Sequence, residues 1–175
     1  MKQKLIAIAL LSLGAIAGCD VTGEVNFMAN SDNSPIPTMA ATAAPDISAL
    51  EQTVHAQVNE YRQSQGLPPL KLDSRISQEA RRHSQNMASG QVPFSHEGSK
   101  QRYQAIGQQI SYRQIAENVA YNSGYANPGK QAVEGWIDSP GHEENMTGDY
   151  DLTGIGIARN DKGEYYFTQI FVRPR

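Results

Sequence analysis

Thr153-Gly154-Ile155-Gly156-Ile157-Ala158, then Asn160-Asp161-Lys162-Gly163, then Glu164 to Val172, is the stretch that decides how this chain folds. Small and branched residues alternate along its first part, the period of two that belongs to a strand. Asn160–Gly163 is a run of turn residues. Glu164–Val172 is rich in Tyr, Phe and Ile, so the whole stretch reads as a β-hairpin. Upstream the period changes. Ile47, Leu50, Val54, Val58 and Tyr61 recur every three or four residues, which predicts a helix with one buried stripe. Ser48 and Glu51 have capping-box spacing, Gly66 stops the helix, and Pro68-Pro69 prevent it from restarting. Asp73 or Ser74 caps a second helix that turns Ile76, Ala80 and Met87 inward and ends just before Gly90. Residues 91–98 read as a loop, 99–110 as weakly helical and Ile115–Tyr121 as a short apolar segment. Asn127-Pro128 opens a helix carrying Val133, Trp136 and Ile137, which Pro140-Gly141 closes. Helices first and a hairpin last make the fold class α+β.

The region before the helices has another character. Met1-Lys2-Gln3-Lys4 is a positive start, Leu5 to Ala17 is apolar but too short to span a bilayer comfortably, and Ala17-Gly18-Cys19 places small residues directly before a cysteine. This resembles the lipobox of bacterial lipoproteins and predicts a signal peptide over 1–18, removed by cleavage before Cys19. Cys19 is the only cysteine, so no intramolecular disulfide is possible, and a lipidated thioether suits an oxidising compartment better than a free thiol. Acyl chains on Cys19 would anchor the protein to the membrane. Asp20 resembles an inner-membrane retention signal, which favours the periplasmic side of the inner membrane. Residues 20–45 have no Lys or Arg and few large apolar residues, so 19–45 is expected to be a lipidated cysteine followed by a disordered tether. As a flexible coil it would span about 28 Å. The globular domain is expected over 46–175.

Charge narrows the partners. The formal net charge is −3, and losing residues 1–18 removes Lys2 and Lys4 and no acid, giving −5. With no basic cluster, nucleic acid is excluded as a partner.

Three short motifs hold titratable groups: Phe94-Ser95-His96-Glu97-Gly98, Ala116-Glu117-Asn118-Val119-Ala120, and Trp136-Ile137-Asp138-Ser139-Pro140-Gly141-His142-Glu143-Glu144-Asn145-Met146. Glu117 lies among apolar residues and a glutamate is rarely buried unpaired, so it requires a specific partner, with His96 and His142 as candidates. Ser95 and Ser139 adjoin the histidines, but sequence neighbours rarely reach nucleophile–base geometry, which argues against a serine hydrolase. Trp136 reads as a core anchor and Asn118 as a bond to loop backbone. Gln169 reads either as facing the site or as a buried amide at the sheet end. His55 reads as a surface residue, and His83 has no evident chemical role.

The order and spacing of these motifs, with Asn59-Glu60-Tyr61-Arg62, His83-Ser84-Gln85-Asn86-Met87, Gly154-Ile155-Gly156-Ile157-Ala158 and Tyr166-Phe167-Thr168-Gln169, resemble the bacterial, SCP-like branch of the CAP superfamily. That superfamily also holds cysteine-rich secretory proteins, venom antigens and plant pathogenesis-related proteins. The likeness runs from about Leu50 to Phe171. It implies a three-layer α-β-α sandwich with a small, mainly antiparallel sheet, and a cleft with two histidines and one or two acids. Carried over, His96, Glu117 and His142 match that cleft, as catalytic groups if the protein is an enzyme and as ligands of a divalent cation (zinc, magnesium or calcium) if it binds metal. The chain departs from the pattern at Ala116, where many relatives have glycine, and at Glu143-Glu144, where bacterial relatives commonly carry a basic residue. A second cleft acid has no clear equivalent; Asp138 and Glu143 are the substitutes available, and Asn118 and Gln169 are further candidates to line the cleft.

Three functions follow as expectations. The first is a lipid-anchored extracytoplasmic binding module whose His/Glu cleft takes a lipid, an envelope polymer or a protein. The second is a divalent-metal-dependent hydrolase, protease- or nuclease-like, using the same cleft. The third is an envelope scaffold with a relic cleft. Oligomeric state is left open.

Overall fold

The structure, a computed structural model, describes residues 46–175. The export segment, the lipidation of Cys19, the Asp20 signal and the tether lie outside the described residues. The elements in chain order are α1 (Ile47–Ser64), β1 (Lys71–Leu72), α2 (Ser74–Ala88), α3 (Ser99–Gly107), β2 (Tyr112–Ser123), α4 (Pro128–Ile137), α5 (Pro140–Thr147), β3 (Leu152–Arg159) and β4 (Glu164–Pro174). The sheet order is β1-β3-β4-β2. β1 pairs parallel with β3, and the other two ladders are antiparallel, so the sheet is mainly antiparallel as expected.

Alternation along β3 and β4 separates two cores. Ile155, Ile157, Tyr165, Phe167 and Phe171 pack with Val54 and Val58 of α1, Val133 and Trp136 of α4 and Met146 of α5. Ile170 and Val172 pack on the opposite face with Ile76 and Ala80 of α2 and Ile106 of α3. Helices thus cover both faces of the sheet, and each fully buried aromatic or branched side chain contributes roughly 1.5–3 kcal/mol.

The glycines of the hairpin stretch have a packing role. A Cβ on Gly154 would fall on the Ser77 amide nitrogen and the Ile76 carbonyl carbon, and one on Gly156 on the Arg81 amide and the Ala80 carbonyl carbon. Glycine at every second position of β3 lets the α2 backbone rest on the sheet, while the isoleucines between them fill the other core.

Several local expectations change in tertiary context. The capping box does not form. Asp46 caps α1, accepting from the Ser48 amide at 2.9 Å. Glu51 is buried instead, paired with Arg81 of α2 at 2.6 Å and accepting from the Ile157 amide of β3 at 3.2 Å. The apolar segment around Ile115 is part of a twelve-residue edge strand. Pro140-Gly141 closes α4 but also opens α5, with Pro140 in the first turn, where its missing N–H is not needed. Asn59-Glu60-Tyr61-Arg62 is a structural brace. Asn59 bonds both the N–H and the C=O of Leu70, and Arg62, 1 % exposed, donates to the carbonyls of Pro68, Met146 and Gly148. No helix among the described residues is long and apolar enough to cross a membrane.

Candidate functional site

Strand β2 organises the site. Glu117 pairs across β4 with Ile170 and Asn118 with Gln169, so the two neighbours point to opposite faces, Glu117 toward α2 and α3 and Asn118 toward α5.

On the α2–α3 face the Glu117 side chain is 1 % exposed. A carboxylate so buried needs strong donors. Arg102 of α3 supplies two, with Nε to Oε2 at 2.8 Å and Nη2 to Oε1 at 2.7 Å, the bidentate fork that lysine cannot make. His96 supplies the third, donating from Nδ1 to Oε1 at 2.9 Å. Arg102 also donates from Nη1 to the Glu97 carbonyl at 2.8 Å and to His83 Nδ1 at 3.1 Å. Because arginine has no acceptor, His83 Nδ1 carries no proton, and Nε2 donates to the Ser95 carbonyl at 2.9 Å. Burial lowers the His83 pKa from its ordinary value, and the Arg102 charge lowers it further. The chain of contacts therefore runs from the Ser95 carbonyl through His83, Arg102 and Glu117 to His96.

The partner expected for Glu117 is thus present in His96, while Arg102 and His83 were not anticipated. Arg102 sits fifteen residues before Glu117 in a polar, weakly helical stretch. The demand of a buried carboxylate for a cation was the one available signal, and it named no particular residue.

On the other face Asn118 donates to the His142 carbonyl at 3.0 Å and accepts from Asn145 at 2.9 Å, tying α5 to the strand. His142 is half-buried, and its Nδ1 lies 2.9 Å from Ser139 Oγ rather than on Glu117. Burial lowers its pKa, and the charge of His96 lowers it further. The Ser139–His142 pair does reach hydrogen-bond distance, contrary to the sequence expectation, because Ser139 is the N-cap of α5 and His142 lies one turn on. Among the described residues no hydrogen bond to the second nitrogen of His142 orients the ring, so the triad arrangement is incomplete.

The remaining candidates are dispersed. Asp138 is the exposed C-cap of α4. Glu143 accepts from Tyr61 Oη at 3.0 Å. Gln169 is fully buried and donates to Thr153 Oγ1 at 3.1 Å, the sheet amide of the two alternatives. His55 is half-buried, with Nε2 2.9 Å from the Leu70 carbonyl, and is not a free surface residue.

Among the described residues no three His, Cys, Asp or Glu side chains converge as they would to hold a metal ion. Both Glu117 oxygens are committed to Arg102 and one also to His96. These residues do not fit a three-ligand catalytic zinc site. Two hollows lie near these residues, one between α2 and α3 and one along β2. One of about 380 Å³ is lined by charged groups, Glu79, Arg82, Glu97 and Arg102 among them. The other, of about 450 Å³, opens beside His142 over Trp136, Tyr121 and Tyr125.

The fold and the sequence both have relatives. The protein YkwD of Bacillus subtilis, itself uncharacterized, is 35 % identical over 141 residues, covering 77 % of this chain and 52 % of its own. The chain thus spans about half the length of that relative. An extracellular protein of Bacillus anthracis containing an SCP domain superposes with a TM-score of 0.61 at 25 % identity, over 72 % of this chain and 41 % of that one. An outer surface protein of Borrelia burgdorferi shares the fold, with a TM-score of 0.64 at 18 % identity over 75 % of this chain and 97 % of its own. The model of the CAP, or cysteine-rich secretory protein, family matches residues 55–171, and this chain belongs to that family.

Proposed function

We propose that this chain is an extracytoplasmic binding module, lipid-anchored at Cys19, that takes its ligand at the exposed edge of β2 between His96 and His142. One observation carries the reading: the carboxylate that a hydrolase of this layout would use is held by Arg102 and His96 through both oxygens. It has no role left as a base, and among the described residues no serine has a base with an orienting partner behind it. The extracellular and outer-surface descriptions of the two solved relatives support the compartment. The full-length protein is expected to bind envelope material without turning it over. Hydrolysis of an ester, peptide or nucleic acid at a rate abolished by Glu117→Gln would overturn this. Labelling with palmitate in cells, lost in Cys19→Ser, is the expected sign of the anchor.

A second reading keeps a divalent cation. His96 and His142 each have one nitrogen fixed by a neighbour, which leaves Nε2 of each to face a weakly held ion, with Glu117 acting only by orienting His96. Calorimetric titration of zinc, magnesium and calcium separates the readings. Binding of about micromolar strength or tighter that disappears in His96→Ala/His142→Ala favours the metal site.

A further inference from the structure

The pocket beside His142 carries a chemistry that the Glu117 cluster lacks. Its walls are residues 119–123 of β2, Tyr125, the Gln131–Trp136 face of α4 and His142, and no Asp, Glu, Lys or Arg is among the lining side chains. The hollow between α2 and α3 is lined by four charged residues. Tyr121 and Tyr125 are 45 % and 53 % exposed, large aromatic faces left open to water. Tyr121 turns its ring to the Glu117 face of the strand, where it packs with two others. It lies 5.1 Å from the Tyr166 ring and 6.1 Å from Phe94, itself 51 % exposed and two residues before His96. Tyr121 is held in place by its hydroxyl, which donates to Glu164 at 3.0 Å. Asn122, Ser123 and Gln131 add amides and a hydroxyl to the lining. Asn122 is 6 % exposed; its carboxamide nitrogen donates to the Pro128 carbonyl at 2.8 Å, while its oxygen has no partner among the described residues, an acceptor whose desolvation is uncompensated until a donor reaches it.

Flat aromatic faces beside uncharged donors and acceptors match a ligand with apolar C–H faces and hydroxyl or amide edges. They do not match a fatty chain, which would leave the amides unpaired, nor a polyanion, which would meet no cation in the lining and an acidic chain around it. We infer that the pocket along the free edge of β2 forms a binding site for a neutral glycan of pyranose units, stacked on Tyr125 and on Tyr121 at the rim and hydrogen-bonded to Asn122 and Gln131. The inference rests on the binding-module reading and names its ligand class.

The test uses the full-length chain in detergent micelles, with chitohexaose and cellohexaose as probes and heparin as the anionic comparison. Binding is followed by calorimetry and by the fluorescence of Trp136, the single tryptophan, at the pocket wall. Both hexaoses or chitohexaose alone are expected to bind. Tyr121→Ala/Tyr125→Ala should weaken that binding about tenfold or more, and Tyr121→Phe/Tyr125→Phe, which keeps both rings, should retain it. Gln131→Ala, on the α4 wall of the pocket, should weaken hexaose binding as well. Absence of hexaose binding, binding indifferent to the alanine pair, or tighter binding of heparin overturns the inference. Failure here leaves the binding-module reading standing, because that reading falls on turnover. A hexaose bound and cleaved by the wild type, but only bound by Glu117→Gln, would keep the glycan and remove the non-catalytic reading.

Discussion

The two faces of β2 solve opposite problems with adjacent residues. Beneath α2 and α3, Glu117 is surrounded by donors, and His83, Arg102 and His96 are each committed to it or to one another. Beneath α5, Asn118 spends its amide on holding the helix, and the pocket beyond it has no Asp, Glu, Lys or Arg in its lining and leaves the Tyr125 ring open to water. A buried ion pair is costly to disturb, and the Glu117 oxygens have little left to offer a ligand. An uncharged, open pocket contributes little to stability and has its contacts free. Stability is therefore expected to concentrate on the first face and recognition on the second.

Removing one partner of the buried pair should have the largest effect. Arg102→Ala leaves Glu117 without its cation and is expected to cost about 3–5 kcal/mol, read by chemical denaturation. Replacing both partners by apolar residues, as in Arg102→Met/Glu117→Leu, should recover most of that, and if it does not, the cluster does more than satisfy itself. Next comes Gly156→Ala, which forces a methyl group into the α2 backbone and should cost roughly 1–3 kcal/mol. No comparable loss is expected at Gly135, where a Cβ meets nothing.

A smaller effect should appear as pH dependence. The folded-state pKa of His83 is lowered, so the unfolded chain takes up a proton first as pH falls. Its contribution to stability is complete above about 6.5 and is lost as pH drops through the depressed folded value. Unfolding midpoints measured from pH 7.5 downward should fall, and His83→Gln should flatten the slope; His142, shifted the same way, contributes with the same sign. The smallest change is expected from Tyr125→Ala, within about 0.5 kcal/mol of wild type, since the ring is more than half exposed. A large loss there would collapse the contrast between the faces.

Much of this was legible in the residues. The apolar period of α1 and α2, the stops at Gly66 and Gly90, and the hairpin over 153–172 all stand, because each is set by neighbours within a turn or two. Glu51 misled because capping-box spacing is local, whereas its partner Arg81 lies thirty residues away on another helix. His83 looked idle for the same reason: its partners come from the loop before α3 and from α3 itself.

What the sequence by itself determined was that Glu117 could not be buried alone, that the last part of the chain is a hairpin, and that the chain has the motif order of its family. Only the tertiary structure decided which cation meets Glu117, that Glu117 and Asn118 serve opposite faces, and that His142 turns to Ser139. Periodicity is a property of a segment and can be read along it. Partnership is fixed by how α2, α3 and α5 dock on an edge strand, and no spacing along the chain encodes that distance.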